Sequence, residues 1–323
     1  MFFDDFSLIS EGSGLKYFKN WQSISRFLML EKWDFENNKI IRERTSLRLA
    51  KRGDFVYKYN LGQKFKWINQ LPDKNQFNFK DRSKSVFKTH FLFLTHTTQN
   101  DNRYYPNFEK SALWKRDSKV WNRAITRLRQ HFGDVFYIRS NEGTEKGFPS
   151  PHSILYFKDH MFDVRRQIVK KGKYKGKIKY RVFGEEYRKL KRILEGKDQR
   201  AKKILGFTDF EGIYNIKKST RYILKYCLNG DSDKKEIQDL TYFWLWITKK
   251  HTYTKSVKNK RFNTISFEEA IFKFFDLTLS LPISKVHSWV WVSSRVGSSF
   301  EADDWEVNYK KEVIPPWEVG FNG

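Results

Sequence analysis

The chain has 323 residues, with 63 lysines and arginines against 37 aspartates and glutamates, for a formal net charge of +26. This length allows one or two packed domains. The charge predicts a polyanionic partner, because each neutralised phosphate releases a condensed counterion. The single cysteine, Cys227, excludes an internal disulfide framework and a CxxC zinc site.

The same composition predicts an intracellular, reducing setting without a membrane partner. No apolar run reaches the roughly 18 residues of a membrane span, and no signal-peptide pattern opens the chain. An anionic membrane surface is the alternative partner for so basic a chain. Aromatic residues make up 18% of the sequence, which favours a packed globule and suits the stacking of unpaired bases.

The first clear elements in chain order are a strand and a long helix. "KTHFLFLTHTT" (88–98) is typical of a buried strand, a short apolar run with β-branched residues. "EKSALWKRDSKVWNRAITRLRQHFG" predicts an amphipathic helix whose apolar residues recur at helical spacing, with Gly133 as its stop.

Two hairpins are predicted next. "DVFYIRS" and "HSILYF" are typical of strands joined by the glycine- and proline-rich turn "EGTEKGFPSP". "VRRQIVKKGKYKGKIKYRVF" alternates basic and apolar residues around two glycines, which indicates either a basic β-hairpin or a flexible basic loop.

Two helices follow, "NIKKSTRYILKYCLNG" with Asn229-Gly230 as its stop and one around "SFEEAIFKFFDLTLSLP". The last segment, starting at "SWVWV", is aromatic and partly acidic. The order of strand, helix, two strands and helix predicts an α+β domain with a largely antiparallel sheet.

His152 and Glu142 are the first candidates for chemistry. Residues two apart in a strand share a face, so Ser150 and His152 should point the same way, and Glu142 near the turn could reach that face. A histidine and a carboxylate together can hold a divalent metal. The alternative is a histidine hydrogen-bonded at a strand end.

Tyr222, Lys225 and Tyr226 stand at i, i+3 and i+4, so a helix projects all three from one side. A tyrosine beside a lysine and a metal can attack a phosphodiester and form a covalent phosphotyrosine. The alternative is that these tyrosine rings cover the core. His96 could likewise be an ordinary strand-edge histidine.

Basic residues on two elements are candidates for holding a DNA backbone. The helix could present them as a phosphate-binding face or as an ordinary solvated one, and the basic segment 165–181 could do the same. The candidates are Arg123, Arg127, Arg129, Arg165, Arg166, Lys170, Lys171 and Lys173.

The order of these motifs resembles the rolling-circle replication initiators, the His-hydrophobic-His (HUH) endonucleases, especially those of archaeal plasmids and viruses. "FLTHTT" is similar to their first motif, "FLTLTT", and "WNRAITRLRQ" to their helix motif, "WNRFLSRLRK". Their metal motif is roughly Glu-x4-Gly-x-Pro-His-hydrophobic-His, and Glu142 and Gly147 fall at that spacing. Their Tyr-x-x-Lys-Tyr motif matches Tyr222, Lys225 and Tyr226.

The resemblance covers roughly residues 88–250. It implies an RRM/ferredoxin-like antiparallel sheet flanked by helices, with N- and C-terminal extensions. The implied domains are an accessory region at 1–84, an HUH-type nuclease domain at 85–255 and a second accessory region at 256–323.

The resemblance also implies the chemistry of the site. His152 and Glu142, aided by His96, would hold one Mn²⁺ or Mg²⁺. Tyr222 would attack the scissile phosphate of unpaired DNA, stay joined to the 5′ phosphate and release a 3′ hydroxyl, and the strands would later be rejoined. Lys225 would lie beside the phosphate or the metal.

Tyr226 is a second nucleophile in one interpretation and a packing ring in the other. The implied partners are single-stranded or hairpin origin DNA and a host helicase and polymerase, because no P-loop motif occurs in the chain. The expected location is the cytoplasm of the cell that hosts the plasmid or virus.

Ser150 departs from the family pattern, because it stands where the first metal-binding histidine is expected. A serine hydroxyl is a poor ligand for these ions, although hard divalent ions accept water and substrate oxygens. Two alternatives therefore stay open. One is a transposase or relaxase with the same tyrosine chemistry, and the other is a catalytically degenerate single-stranded DNA-binding protein.

Overall fold

A computed structural model describes residues 11–34, 39–48, 50–98, 106–172, 175–195, 205–228, 235–256, 265–277 and 289–298. The chain divides into two compact units, one of residues 1–8 and 61–279 and one of residues 9–60 and 280–323. The boundaries differ from the domain limits expected at 84/85 and 255/256. The larger unit takes in about two dozen further residues on each side of the expected nuclease domain.

The smaller unit contains a helix and a three-stranded antiparallel sheet in the order β12-β1-β2. Its elements are α1 (Glu11–Ser23), β1 (Ile24–Asp34), β2 (Lys39–Arg48) and β12 (Trp289–Ser298). In α1 the buried Phe18 stacks on Trp21 at 5.8 Å. The unit therefore joins strands from distant parts of the sequence, which the sequence patterns did not predict.

The next helix, α2 (Phe55–Lys64), begins at an N-cap aspartate. Asp54 Oδ1 accepts a hydrogen bond from Tyr57 N at 2.7 Å. The short 3₁₀ helix Lys66–Gln70 follows it.

The larger unit is built on a nine-stranded antiparallel sheet in the order β11-β6-β7-β5-β10-β9-β8-β4-β3. Its strands are β3 (Asn78–Asp81), β4 (Val86–Thr89), β5 (Phe91–Thr98), β6 (Val135–Ser140), β7 (His152–Phe157), β8 (Phe162–Ile168), β9 (Ile178–Val182), β10 (Leu205–Gly212) and β11 (Tyr253–Lys255). The α+β class with an antiparallel sheet is confirmed, as are both predicted hairpins.

Helices cover both faces of this sheet. They are α3 (Pro106–Phe132), α4 (Gly184–Glu195), α5 (Ile216–Leu228), α6 (Lys235–Ile247) and α7 (Phe267–Phe274). On one face, the α3 face, α3 and α4 pack into the main core. On the other, the α5 face, α5 lies over β6 and β7, and Phe274 of α7 contacts Phe91 and Tyr156.

The α3 face holds the apolar core because the strands alternate. Leu92 and Leu94 of β5, Leu155 of β7 and Phe210 of β10 point toward α3, where Trp121 and its helical neighbours are buried. Helix α3 ends as predicted at Gly133, whose φ of +77° suits glycine. Side chains one residue along each strand therefore belong to the α5 face.

Cross-strand register aligns two rows of residues on the α5 face. Ser140, His152, Thr95 and Asp209 are successive partners on β6, β7, β5 and β10. The adjacent row continues farther, in the order Ile138, Ile154, Phe93, Glu211, Arg181 and Arg165. The second row connects the centre of the sheet to the basic hairpin formed by β8 and β9.

Several elements of the larger unit were not predicted, among them α4, α6, β10 and β11. Helix α7 is confirmed, and it begins with a capping box in which Ser266 accepts from Glu269 N. The end of its predicted segment and the Asn229-Gly230 stop lie outside the described residues.

Candidate metal and tyrosine site

The connection between β6 and β7 is a tightly bonded loop that fixes Glu142. Ser150 N donates to Glu142 O at 2.7 Å, and Gly143 and Pro149 form a bridge beyond them. A Cβ at Gly143 would lie 3.0 Å from the hydroxyl of Thr241, which accepts a hydrogen bond from Gly143 N. This close approach favours glycine at position 143.

Two helices hold the loop from outside. Thr241 belongs to α6, and Trp114 of α3 donates its indole N–H to Gly147 O at 2.9 Å. Gly147 has a φ of +79°, which a residue with a side chain rarely adopts. The glycines and the tryptophan therefore set the position of the carboxylate.

His152 has a partner group at each ring nitrogen. Its Nδ1 lies 3.0 Å from Thr95 Oγ1, and its Nε2 lies 3.2 Å from Glu142 Oε2. Among the described residues, no hydrogen bond reaches that buried carboxylate oxygen, and its contact with His152 is an ion-pair distance. The structure thus brings Glu142 and His152 together, in what is called here the Glu142–His152 pair.

The pair has features expected of a weak divalent cation site. With a proton on Nδ1 toward Thr95, Nε2 and Oε2 present lone pairs to each other, and a cation between them relieves their repulsion. Their 3.2 Å separation resembles the spacing of about 2.9 Å between neighbouring ligands of an octahedral ion with bonds near 2.05 Å. The donor set therefore fits Mn²⁺ or Mg²⁺ that keeps several waters.

The described part of the chain offers the pair no third histidine, cysteine, aspartate or glutamate. No group of three histidine, cysteine, aspartate or glutamate side chains is close enough there to hold a metal ion. Ser150 is hydrogen-bonded to Glu142 through the backbone, and its hydroxyl is in any case a poor ligand for such ions.

Tyr222 is carried by α5 on the same face of the sheet. Asn215 begins that helix by accepting a hydrogen bond from Lys218 N at 2.9 Å. Ile223 and Leu224 are buried, whereas Tyr222 is 40% exposed. The phenol is therefore accessible at the edge of the packed surface.

Phe93 lies between Tyr222 and the Glu142–His152 pair in the chain of ring contacts. The ring of Phe93 lies 5.7 Å from the ring of His152 and 6.0 Å from the ring of Tyr222, centroid to centroid. The imidazole and the phenol thus flank one phenyl ring. Lys225 Nζ lies 5.2 Å from the centroid of the Tyr222 ring, so the lysine is also adjacent. Tyr226 belongs to α5, but its side chain lies outside the described residues.

The structure does not bring His96 to this site. His96 follows Thr95 in β5, so strand alternation directs it to the α3 face. There it is fully buried and stacks on Trp121, with ring centroids 5.3 Å apart. His96 is therefore part of the core and not an additional ligand of the pair.

The arginines of α3 are also remote from the α5 face, because α3 packs on the opposite side of the sheet. Arg127 Nη1 donates to Ile193 O at 3.4 Å, and Arg129 Nη2 donates to Val135 O at 2.9 Å. These two side chains tie the helix to neighbouring backbone. Arg123 is exposed on the same helix. The α3 arginines are thus not aligned with Tyr222 and His152.

The base of the basic hairpin formed by β8 and β9 lies closer to the α5 face than the α3 arginines do. Arg165 stands in the row that includes Phe93, and its guanidinium carbon lies 4.5 Å from the centroid of the Phe183 ring. Arg166, Lys170 and Lys171 are exposed farther along the hairpin. Lys173 lies outside the described residues.

Sequence reasoning missed three groups at the site, Thr95, Phe93 and the acidic residues of β10. Asp209 and Glu211 stand next to Thr95 and Phe93 across the sheet, and they pair with Arg181 and Lys179 of β9. Alternation along "FLFLTHTT" could have grouped Phe93 with Thr95. The position of β10 beside β5 had no comparable signal.

Two findings concern the chain beyond the candidate site. No helix in the described ranges is both long and apolar enough to cross a membrane. Searches against protein-family models, curated proteins and solved structures find no match to this chain.

Proposed function

We propose that the protein nicks single-stranded DNA through Tyr222 as a rolling-circle replication initiator of the HUH endonuclease type. The observation that carries this proposal is the arrangement around Phe93, whose ring contacts both His152 of the Glu142–His152 pair and Tyr222. The motifs for metal and nucleophile are 70 residues apart in sequence, yet they meet at one ring.

Each residue has a role that follows from its contacts. Glu142 and His152 would hold Mn²⁺ or Mg²⁺, which when bound would polarise the scissile phosphate. Thr95 keeps the His152 ring oriented, because its hydroxyl lies at Nδ1. Lys225, beside the Tyr222 ring, would stabilise negative charge that develops on the phosphate oxygens.

The proposed step is a transesterification. The Tyr222 oxygen attacks phosphorus, its proton passes to solvent, and the bond from phosphorus to the 3′ oxygen breaks. The leaving 3′ oxygen takes up a proton, and the 5′ phosphate remains on the tyrosine. Attack of a 3′ hydroxyl on the phosphotyrosine reverses the step and rejoins the strands.

The test is covalent capture. The protein is incubated with Mn²⁺ and a pool of single-stranded, 5′- or 3′-labelled oligonucleotides that includes hairpin loops. A denaturant-resistant protein–DNA band carrying the label on the 3′ side of the nick is expected from the wild type. The Tyr222→Phe variant is expected to lose it, because the phenyl ring keeps the packing on Phe93 and lacks the nucleophile.

Tyr214→Phe is the matched control, because Tyr214 is also an exposed tyrosine of the larger unit. This variant should retain the covalent band. Loss of the band in both variants, or its persistence in Tyr222→Phe, contradicts the assignment of the nucleophile. Glu142→Gln should weaken the band and raise the Mn²⁺ concentration that it requires.

One observation favours a second candidate function. Ser150 and the absence of a third ligand among the described residues favour a single-stranded DNA-binding protein that has lost the chemistry. Such a protein would bind the oligonucleotides with the affinity of its Tyr222→Phe variant and give no covalent band in any sequence of the pool.

A further inference from the structure

The basic ribbon, residues 165–181, extends the β8–β9 hairpin into solvent. Its two strands pair from Arg165↔Arg181 to Ile168↔Ile178, and Val169 N donates to Lys177 O at 2.9 Å beyond them. Every β8 residue from Arg165 onward is exposed, whereas Val164 is buried. The ribbon is thus a two-stranded projection from the nine-stranded sheet.

The ribbon has an unusual charge. It contains nine lysines and arginines and no acidic residue. Four of these side chains are exposed and take part in no ion pair with another described residue: Arg166, Lys170, Lys171 and Lys175. Positive groups spaced along two paired strands suit the phosphates of an ordered polyanion.

Two apolar side chains stand among these charges. Ile168 and Ile178 are directly opposite each other across the two strands, and they are 60% and 44% exposed. Exposed isoleucines at the centre of a basic surface contribute nothing to phosphate binding. They suit contact with apolar groups that lie between two phosphate backbones, such as thymine methyls in a major groove.

The base of the ribbon adjoins the candidate site. Arg181 pairs with Asp209, and Lys179 Nζ lies 3.0 Å from Glu211 Oε2. Glu211 is the cross-strand partner of Phe93 on the α5 face. Alternation from the buried Val164 and Val182, however, places Arg166, Ile168 and Ile178 on the α3 side of the hairpin, so these side chains face away from Tyr222 and His152.

We propose that the basic ribbon inserts into the major groove of B-form duplex DNA. That groove, roughly 12 Å wide, admits a two-stranded β-ribbon, whereas the deep, narrow major groove of A-form RNA does not. Arg166, Lys170, Lys171 and Lys175 bind phosphates on the groove edges, and Ile168 and Ile178 face the bases. Duplex binding stands without the nicking chemistry.

The experiment measures binding by fluorescence anisotropy at several salt concentrations. The probes are a short DNA duplex, an RNA duplex of the same sequence and the single DNA strand. The wild type should prefer the DNA duplex to the RNA duplex. The charge variant should bind the DNA duplex roughly tenfold or more weakly, with a salt slope reduced by about 0.9 per lost phosphate contact. It carries Arg166→Ala, Lys170→Ala, Lys171→Ala and Lys175→Ala.

A second variant, Ile168→Ser with Ile178→Ser, separates groove insertion from charge alone. It should weaken DNA duplex binding without changing the salt slope, because no charge is removed. A control variant removes the same charge from exposed positions outside the ribbon and should change duplex affinity much less. It carries Lys115→Ala, Arg116→Ala, Lys119→Ala and Lys235→Ala.

Three results would overturn the proposal: equal affinity for the DNA and RNA duplexes, equal losses in the charge and control variants, or duplex binding that the isoleucine substitutions leave unchanged. Thermal unfolding of each variant checks that the fold is retained. Tyr222→Phe should bind the duplex like the wild type, so failure of the nicking proposal and failure of the ribbon proposal give different results.

Discussion

On the α3 face of the nine-stranded sheet, His96 is fully buried against Trp121, whereas on the α5 face His152 is partly exposed and has a group at each ring nitrogen. The two histidines come from neighbouring strands. What separates them is the side of the sheet to which strand alternation assigns each one. The same residue type is therefore a core residue on one face and a candidate ligand on the other.

Buried charged groups also differ between the α3 face and the α5 face. On the α3 face Arg139 is buried with Asp117, which forms an ion pair with it, and its guanidinium lies 4.8 Å from the Trp121 ring. On the α5 face a buried oxygen of Glu142 has no hydrogen bond in the described part of the chain. The core cation Arg139 therefore has a carboxylate partner, although its Nε also lacks a hydrogen bond, whereas Glu142 faces a histidine. Stability and proposed chemistry thus lie on opposite faces.

The largest effect is expected from the α3 face. Asp117→Ala should lower the free energy of unfolding by about 3–5 kcal/mol, because it leaves Arg139 buried without its partner. Chemical denaturation measures the loss. Replacing both residues, as Asp117→Leu with Arg139→Met, should recover much of it. A loss as small as that of an exposed substitution, about 0.5 kcal/mol, would show that the ion pair is not integral to the core.

The next effect concerns pH. Burial lowers the pKa of His96 well below its ordinary value of 6.5, and electrostatic interactions with Arg139 and His152 lower it further. The unfolded chain then binds the proton more readily than the folded one. The contribution of His96 to stability is therefore complete above pH 6.5 and is lost as the pH falls below that value.

The measurement compares the wild type with His96→Met, which keeps an apolar side chain against Trp121. Between pH 6.5 and the depressed pKa of the folded state, the free energy of unfolding of the wild type should fall relative to the variant by up to about 1.4 kcal/mol per pH unit. If the free energies of unfolding of the two proteins changed in parallel with pH, His96 would be in contact with water. The two histidines would then not differ in burial as the two faces predict.

A smaller effect is expected at the α5 face. Ser150→His adds an imidazole beside the Glu142–His152 pair, so Mn²⁺ should bind about tenfold more tightly, a gain of about 1.4 kcal/mol. The readout is the Mn²⁺-dependent rise in melting temperature. Adding Glu142→Gln to the same variant should abolish the gain. An unchanged Mn²⁺ response would remove the metal assignment from this face.

The core of the larger unit was predictable because its apolar residues recur at regular spacings or in short runs. Helical spacing in α3 and short apolar runs in β5 and β7 correctly indicated the elements. The predicted hairpin also indicated that Glu142 could reach the face of His152, since a short loop between paired strands brings the chain back beside itself. Alternation alone could have excluded His96 from the site, because it directly follows Thr95.

Long-range pairing was not predictable. Strand β10 lies between β5 and β9, although more than a hundred residues separate it from β5 in sequence. Nothing in the local pattern of "LGFTDFEG" indicates that β5 and β9 are its neighbouring strands. Asp209 and Glu211 adjoin the site and pair with the basic ribbon only because β10 lies between β5 and β9. Tertiary contacts determine which side chains adjoin the candidate site.

The pairing of β1 with β12 has a consequence for how the protein is made. Strand β1 leaves the ribosome early, but its hydrogen-bonding partner is translated only after the whole nine-stranded sheet. The loop that this pairing closes is costly to close from an extended chain, since the entropic penalty rises with loop length. Prior collapse of the intervening residues shortens the effective tether. We therefore expect the larger unit to fold before β12 pairs with β1.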